Sequence, residues 1–541
     1  MHVFLSILDV LRATALWLPV IVVMAGAMPL LAASYQFLLV AVHFRRHHYD
    51  CCKPYFPRTA ILIPAWNEAA VIGASIDRLV KLDYPPDKLR VYVVDDASTD
   101  ATPDVIKAKE AAYPGQVFHL RREKGGEGKA HTLNHGLAII MSEDWMQALL
   151  IMDADVIYTP ISLRMMTRHL ADPRVGAVTA YIKEGSRPGN YLTKFIGFEY
   201  ITAQAAARRS QNVLGAVACL AGGAQLHSRA NLEAIGGRID ASSLAEDTFT
   251  TFKTQMAGKR VVFEPHAIVW AEEPDSIVGL WKQRLRWARG NVQVTRQFKH
   301  VWCRPSAAHR LGSVSFAVFW FCLFLLPIFM ICASASLVIL YFSDFAMAWT
   351  LFHVLWITSA LTYVFITGFT FMIDWETGRH VMLEGILFPG LISFCVIIAS
   401  CFPRLYRMIF HDMLPVLGVT LTPFERASLV LFAYVWLAAS MPVAYLGKAV
   451  EKRKLGWLFS RVFVYIAGYG PLLCACTFAS YVKELRGAEM KWDKTEKSGK
   501  VGMPACPSPS ERLPGRKPRS RPSAPTRSTR PRSSARRSRP P

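Results

Sequence analysis

ALLIMDAD, residues 148–155, runs an unbroken apolar stretch straight into two aspartates one residue apart. An apolar run of this length, without polar alternation, is the mark of a strand buried on both faces. Working outward, TAILIPA (59–65), LRVYVVDD (89–96) and QVFHL (116–120) repeat the theme. Each run is followed by a helical pattern, from Glu68 to Lys81, from Asp100, from Lys129 and from Pro160 in turn. Strand and helix in alternation predict an α/β domain whose parallel sheet is covered on both faces. Ligands of such sheets bind beyond the carboxyl ends of the strands, where Asp95, Asp96, Asp153 and Asp155 fall.

Long apolar runs flank this region. No charged residue occurs from Trp17 to Val42, and about 20 apolar residues suffice to cross a hydrocarbon core. The run is too long for a cleaved signal peptide and has no small-residue cleavage site before the basic cluster. Arg45, Arg46, His47 and His48 follow it, and the positive-inside rule assigns that flank, with the domain after it, to the cytoplasm. Apolar runs resume at 313–342, 346–373, 381–402, 428–447 and 456–482. Five crossings would leave the basic tail outside, against the same rule, so the run holding Pro389 and Gly390 is expected to be interfacial or re-entrant. The expected division is 1–50, a membrane segment with its basic flank; 51–310, the α/β domain; 311–485, a multi-helix membrane region; and 486–541, a basic tail.

The 541 residues carry a formal charge of +22, and its location decides its meaning. From Ser498 onward twelve Lys and Arg face a single Glu511, so half of the excess is tail. That tail is mostly Ser, Pro, Arg and Ala, too poor in apolar side chains to offset the entropy of ordering, and is expected to be disordered. Anionic lipid is the plain partner for it, and no folded motif supports nucleic-acid binding. The eleven cysteines show neither disulfide nor zinc spacing, which makes reduced thiols the default.

Each chemical motif has a bland reading beside it. Asp153 and Asp155 at a strand end can both lean toward one hard cation of the Mg2+ or Mn2+ kind, which keeps substrate phosphates in its shell; such a triplet also arises by chance in solvated loops. Asp95 and Asp96 can accept from a base or ribose, while Ser98, Thr99 and Asp100 after them are ordinary helix-start residues. Lys124-Gly125-Gly126-Glu127-Gly128-Lys129 exposes backbone amides and a lysine to an anion, but lacks Walker spacing and also suits a tight turn. Glu246 and Asp247 open a helical stretch, where the helix dipole favours acids anyway, and can also supply a general base. Gln283, Arg284, Arg286 and Trp287 lie on one helical segment. Arginines there can meet a diphosphate bidentately and an indole can stack on a sugar ring, whereas an exposed cationic face would have little use for Trp281 and Trp287.

ILIPAWNE, VVDDASTD, GKAHTLNHG, DAD, AED and QRLRW, in that order between about 58 and 300, resemble the processive inverting glycosyltransferases of family two. That group includes bacterial poly-N-acetylglucosamine synthases and hyaluronan, chitin and cellulose synthases. The stretch FEPHAIVWAEEPDSIVGLWKQRLRWARG (263–290) looks closest to the poly-N-acetylglucosamine synthases, and Trp492-Asp493-Lys494-Thr495 resembles a short element after their last membrane helix. AED stands where many relatives have TED, the basic tail has no counterpart, and nothing resembles the cyclic-dinucleotide module of cellulose synthases.

The resemblance implies a Rossmann-like nucleotide-sugar transferase domain inserted between transmembrane helices, in a bacterial inner membrane with the domain cytoplasmic. It implies Glu68 and Asp96 near a uridine, Lys129 and Asp153 at the donor, and Asp153 with Asp155 at Mg2+ or Mn2+. Asp247, with Glu246 beside it, is then the catalytic base, and Gln283, Arg284, Arg286 and Trp287 line the acceptor end and channel mouth. The expected partners are a UDP-sugar, a growing polysaccharide and membrane lipids, with room for a membrane accessory subunit. Two rivals stand beside this reading: single transfer to a lipid such as ceramide or polyprenyl phosphate, and an inactive membrane protein that binds anionic partners through its tail.

Overall fold

The computed structural model describes residues 2–46, 49, 52–451, 453, 456–490, 499 and 501–502. Cys51, His47, His48, the Trp492–Thr495 element and the tail beyond Gly502 lie outside the described residues.

Eight strands build the domain: β1 (Thr59–Ala65), β2 (Leu89–Asp95), β3 (Val117–Arg121), β4 (Ala148–Ile151), β5 (Ile157–Tyr158), β6 (Val175–Glu184), β7 (Gln225–Ser228) and β8 (Arg260–Ala271). They form one sheet in the order β3-β2-β1-β4-β7-β6-β8-β5. The first four strands are parallel, as the alternating pattern predicts. The sheet then turns mixed: β7 runs antiparallel to both β4 and β6, and β5 antiparallel to β8. The sequence departs from its own pattern here, because β7 follows the glycine pair Gly222-Gly223 rather than a crossover helix.

Helices α1 (His2–Ala25) and α2 (Met28–Arg46) precede the sheet. Between and after the first strands come α3 (Ala69–Leu79), α4 (Thr102–Ala112) and α5 (Lys129–Ser142), close to the expected positions. The period-two pleat of β1 divides its side chains between two cores. Ile61 and Ile63 pack with Ile72 and Ile76 of α3, whereas Ala60 and Leu62 pack with Leu133, Leu137 and Ile140 of α5. The rest of the domain carries α6 (Tyr191–Glu199), α7 (Ala207–Leu214), α8 (Glu246–Met256) and α9 (Ile277–Gln297). A π-helical turn, Tyr200–Ala206, joins α6 to α7.

After the domain and the short apolar helix Val314–Phe324 come α10 (Leu326–Ser343), α11 (Phe345–Ile373), α12 (Leu391–Cys401), α13 (Pro423–Glu451), α14 (Gly456–Ala467) and α15 (Tyr469–Leu485). Among the described residues four stretches are long and apolar enough to cross a membrane: 14–46, α10, α11 and α13. Side chains such as Trp17, Leu18, Leu361 and Val364 point outward, exposed by 61 to 72%. Outward apolar side chains are what hydrocarbon solvent selects, since every backbone polar group is already satisfied inside the helix.

The run at 381–402 is not a continuous span, in keeping with its Pro389-Gly390 break: it yields the short helix Met382–Ile386 and then α12. The run at 456–482 is broken too, α14 and α15 meeting at 93°. The two breaks abut. Gly390 and Gly468 hold φ of +92° and +105°, and a Cβ built on Gly390 would stand 2.4 Å from the Ala467 carbonyl carbon, with the converse clash of 2.5 Å against Pro389. Only glycine tolerates both the left-handed backbone and the approach. Gly468→Ala is therefore expected to destabilise the protein by more than the ~1–3 kcal/mol of backbone strain alone, read as a lowered thermal midpoint of the detergent-solubilised full chain.

Candidate active site

Four side chains from three elements converge at the carboxyl end of β4. Lys129 opens α5, Asp153 follows β4 by two residues, and Glu246 and Asp247 open α8. Lys129 Nζ stands 2.6 Å from Asp153 Oδ1 and 3.5 Å from Glu246 Oε1, and donates to the Gly222 carbonyl at 3.3 Å. Asp247 belongs to the same group: the position of a Cβ on Gly222 lies 3.3 Å from Asp247 Oδ2 and 3.3 Å from Lys129 Nζ. Burial works to lower the Lys129 pKa, but Asp153 and Glu246 overcome it and hold the ammonium above its ordinary value. For Glu246 burial raises the carboxyl; Lys129 pulls it back, Asp247 pushes it up and Arg286 opposes, and the net shift is upward.

The floor of this cluster is a loop that sequence patterning did not single out. Gly222 and Gly223 lie against Lys129, Asp153 and Asp247. The loop is held by Tyr158, which donates to the Gly223 carbonyl at 2.9 Å, and by Thr179 and Thr251, whose hydroxyls accept from the Ala221 and Leu220 amides. Arg208 of α7 is a further residue missed. It is buried, donates from Nε to the Cys219 carbonyl at 3.1 Å, and feels the Asp247 charge. The Gly-Gly pair and the Ala-Arg-Arg run were the available signals, and neither has a pattern of its own.

Glu68 and Asp96 sit at the neighbouring strand ends, which the backbone latches together: the Asp96 amide donates to the Ala65 carbonyl at 2.8 Å, the Glu68 amide to Thr102 Oγ1 at 2.8 Å. Asp96 is buried, accepts from the Gly126 amide at 3.0 Å and pairs with Arg122. The glycine loop thus folds onto Asp96. Asp95 is committed differently, accepting from the Ser98 amide at 2.9 Å and pairing with Arg121 at 3.1 Å, so it shapes the turn. Asn67 and Ala97 hold φ of +53° and +54° in these two loops, and strain of this kind in non-glycine residues gathers where a site needs a fixed loop.

The aspartates of DAD part company. The strand ends at Ile151, the chain turns, and the Val156 amide donates to the Asp153 carbonyl. Asp153 meets Lys129, whereas Asp155, 9% exposed, lines a small cavity of about 50 Å³ with Ser75, Arg78 and Gly499. Both aspartates lie past the strand end, where the turn and not the pleat sets where each side chain goes. Among the described residues no group of three His, Cys, Asp or Glu is spaced to hold a metal by itself. A magnesium-type ion commonly takes one or two carboxylates and completes its shell from substrate phosphates. Asp153, its side chain 39% exposed beside Lys129, fits that partial role.

The helix α9 divides its motif. Arg284 pairs with Glu199 at 2.8 Å, donates to Gln283 Oε1 at 2.6 Å and stacks 4.2 Å from the Trp287 ring. Gln283 donates to Glu273 at 3.2 Å, and Tyr469 donates to Glu199 at 2.6 Å. These two polar side chains face a buried network that ties α9 to α6 and α15. Arg286 points elsewhere: its charge acts on Glu246, and it also lines a cavity of about 1030 Å³ between α9 and the apolar helices. Gly290 sets the spacing, for a Cβ there would stand 2.4 Å from Ala245 Cβ.

An open α/β sheet with a lysine and three carboxylates at its strand ends defines a domain built to hold a charged ligand. Residues 57–290 match the family model described as "Glycosyltransferase like family 2". The chain is 32% identical over 244 residues to the probable glycosyltransferase YdaM of Bacillus subtilis, covering 45% of this chain and 57% of that one. It is 30% identical to the beta-monoglucosyldiacylglycerol synthase of Synechocystis (44% and 48% covered) and to the poly-beta-1,6-N-acetyl-D-glucosamine synthase of Staphylococcus aureus (43% and 54%). The matched region thus spans about half the length of these relatives.

Gly290→Ala is expected to push α9 off the Ala245 turn and lower turnover at least tenfold while nucleotide binding stays within about twofold; equal losses in both would show that the helix spacing is not what the glycine protects.

Proposed function

We propose that the protein is a membrane-embedded inverting glycosyltransferase that takes a sugar from a UDP-sugar, UDP-N-acetylglucosamine by its resemblance, and adds it to an acceptor presented at the bilayer face. The observation that carries this reading is the single cluster of Lys129, Asp153, Glu246 and Asp247, joined through Arg286 to a cavity among apolar helices. The basic flank of α2 supports a cytoplasmic domain.

The geometry suits a direct displacement. Asp96 offers a carboxylate to the nucleoside, where the resemblance also assigns Glu68, and Lys129 offers a fixed cation to the diphosphate. Asp153 would hold a divalent ion together with the donor phosphates, which supplies charge stabilisation for the leaving group when bound. Asp247, oriented by the Thr248 amide at 2.7 Å, accepts the proton from the acceptor hydroxyl as that oxygen attacks the anomeric carbon. Glu246, its carboxyl raised by burial, lies 3.5 Å from Lys129 and helps hold that ammonium in place. Arg286 lies on the acceptor side, between Glu246 and the cavity.

The product reading favoured by motif order and by the staphylococcal relative's name is a β-linked polysaccharide that leaves through the protein's own helices. A second reading, single transfer to a lipid, is favoured by the apolar lining of the cavity and by the name of the Synechocystis relative. Product length separates them: membranes given labelled donor should yield a ladder of sugars in the first case and one sugar per lipid in the second.

Asp247→Asn is expected to lower transfer by about 10²–10⁴-fold, the usual contribution of a general base, while donor binding changes little. Undiminished product from this variant in a labelled-donor assay would remove Asp247 from the mechanism. Lys129→Met, by contrast, is expected to weaken UDP binding at least tenfold, measurable by calorimetry without any acceptor.

A further inference from the structure

The cavity beside Arg286 has a polarity that runs in one direction. Its lining on α13 extends from Lys448 to Val435, about 20 Å of helix at 1.5 Å per residue. The Lys448 end is the domain end: Glu451, three residues on, accepts from the Ile277 and Val278 amides at 2.9 and 2.7 Å at the start of α9. At that end stand Lys282, Arg286, Lys448 and Lys483, and no Asp or Glu is among the lining residues. Lys448 Nζ lies 4.3 Å from the Trp281 ring and 5.1 Å from the Tyr445 ring, which fixes its height at the aromatic level. Deeper in, the walls are Val435, Ala438, Ala439, Ala475 and Phe478, with Ile331 from α10.

A hydrated glycan fits this lining poorly. Its hydroxyls would face small apolar side chains and lose their water without gaining partners, at roughly 1–3 kcal/mol for each unsatisfied group. A molecule with an anion at one end and hydrocarbon at the other fits along its whole length. Basic residues at an interface attract anionic lipid by about 1 kcal/mol each, and the depth of the cavity is that of one leaflet, half of a core about 30 Å thick plus its headgroup layer.

We propose that this cavity is a binding site for an anionic phospholipid of the leaflet on the domain side. Its phosphate lies among Lys282, Arg286 and Lys448, and an acyl chain runs between α13 and α15 toward Val435. The site borders the carboxylate cluster at Arg286, but filling it needs neither donor nor acceptor, and it holds whether the product is a polymer or a glycolipid.

The test uses the full-length chain in vesicles of equal phosphatidylglycerol and phosphatidylcholine, extracted in mild detergent without donor, with the retained lipid counted by mass spectrometry. About one phosphatidylglycerol per chain is expected, at least tenfold over phosphatidylcholine. Ala439→Trp, which fills the apolar part, and the pair Lys282→Glu with Lys448→Glu, which reverses the charge, should each lower that retention at least tenfold. If either preparation is not monodisperse, a photoreactive phosphatidylglycerol on the unaltered chain decides instead, with crosslinks expected on 435–448 and 475–483. Equal retention of the two lipids, unchanged retention in the monodisperse variants, crosslinks confined to the outer helix faces, or a bound lipid-linked sugar phosphate in place of phosphatidylglycerol would each overturn the assignment. None of these results bears on whether Asp247 is the base, so the two proposals fail separately.

Discussion

The arrangement depends on one ammonium group. Lys129 is nearly enclosed, and the elements around it, α5, the end of β4, the start of α8 and the Gly222-Gly223 loop, reach it from four separate parts of the chain. Leaving a buried partner such as Glu246 without its counter-charge costs roughly 3–5 kcal/mol, so these elements are held in register by electrostatics as much as by packing. The cluster is also unbalanced: three carboxylates surround one lysine. That excess of negative charge, with Glu246 already raised by burial, makes the cluster more receptive to a cation than to a bare anion.

The second constraint is the way α9 is shared. Its first amides are capped by Glu451 from α13, its centre is tied by Arg284 to Glu199 and through that carboxylate to Tyr469, and Arg289 pairs with Glu484 at 2.5 Å. Each of these partners belongs to the apolar helices or to the layer resting on them. The core follows the same path, since Ile277, Leu280 and Trp281 join Ala444, Tyr469 and Leu472 in the cluster that begins under β1. Domain and helices are thus parts of one packed body.

Much of this was legible in advance, and the misses have physical causes. The strand ends were readable because a run buried on both faces leaves no polar alternation, as in β1, β2 and β4. The Pro389-Gly390 interruption was readable because proline and glycine together cannot continue a helix. The 93° break at Gly468 was not, because a lone glycine in an apolar run is common and its meaning lies in the contact with Gly390, a partner remote in sequence. Arg284 and Arg286 read alike as arginines two apart. On a helix that spacing separates them by about 200°, which sends one into the Glu199 network and the other toward Glu246. Asp155 lies beyond the end of β4, and the pairing with Asp153 that its spacing suggested depends on the turn after Ile151, which spacing alone does not give.

The division of α9 couples the carboxylate cluster to the apolar helices. Arg286 occupies the border between the carboxylate cluster and the long cavity, and its position is set by neighbours on both sides: Gly290 packs on the Ala245 turn that launches Glu246 and Asp247, while Arg289, three residues after Arg286 on the same helix, is bonded to Glu484 and to the carbonyls of Ala488 and Glu489. A rigid helix transmits a displacement of either end to the other. Whatever fills the cavity therefore bears on the geometry of Glu246 and Asp247 without touching them. The apolar helices then do more than flank the domain, because they form one wall of the cavity that Arg286 lines.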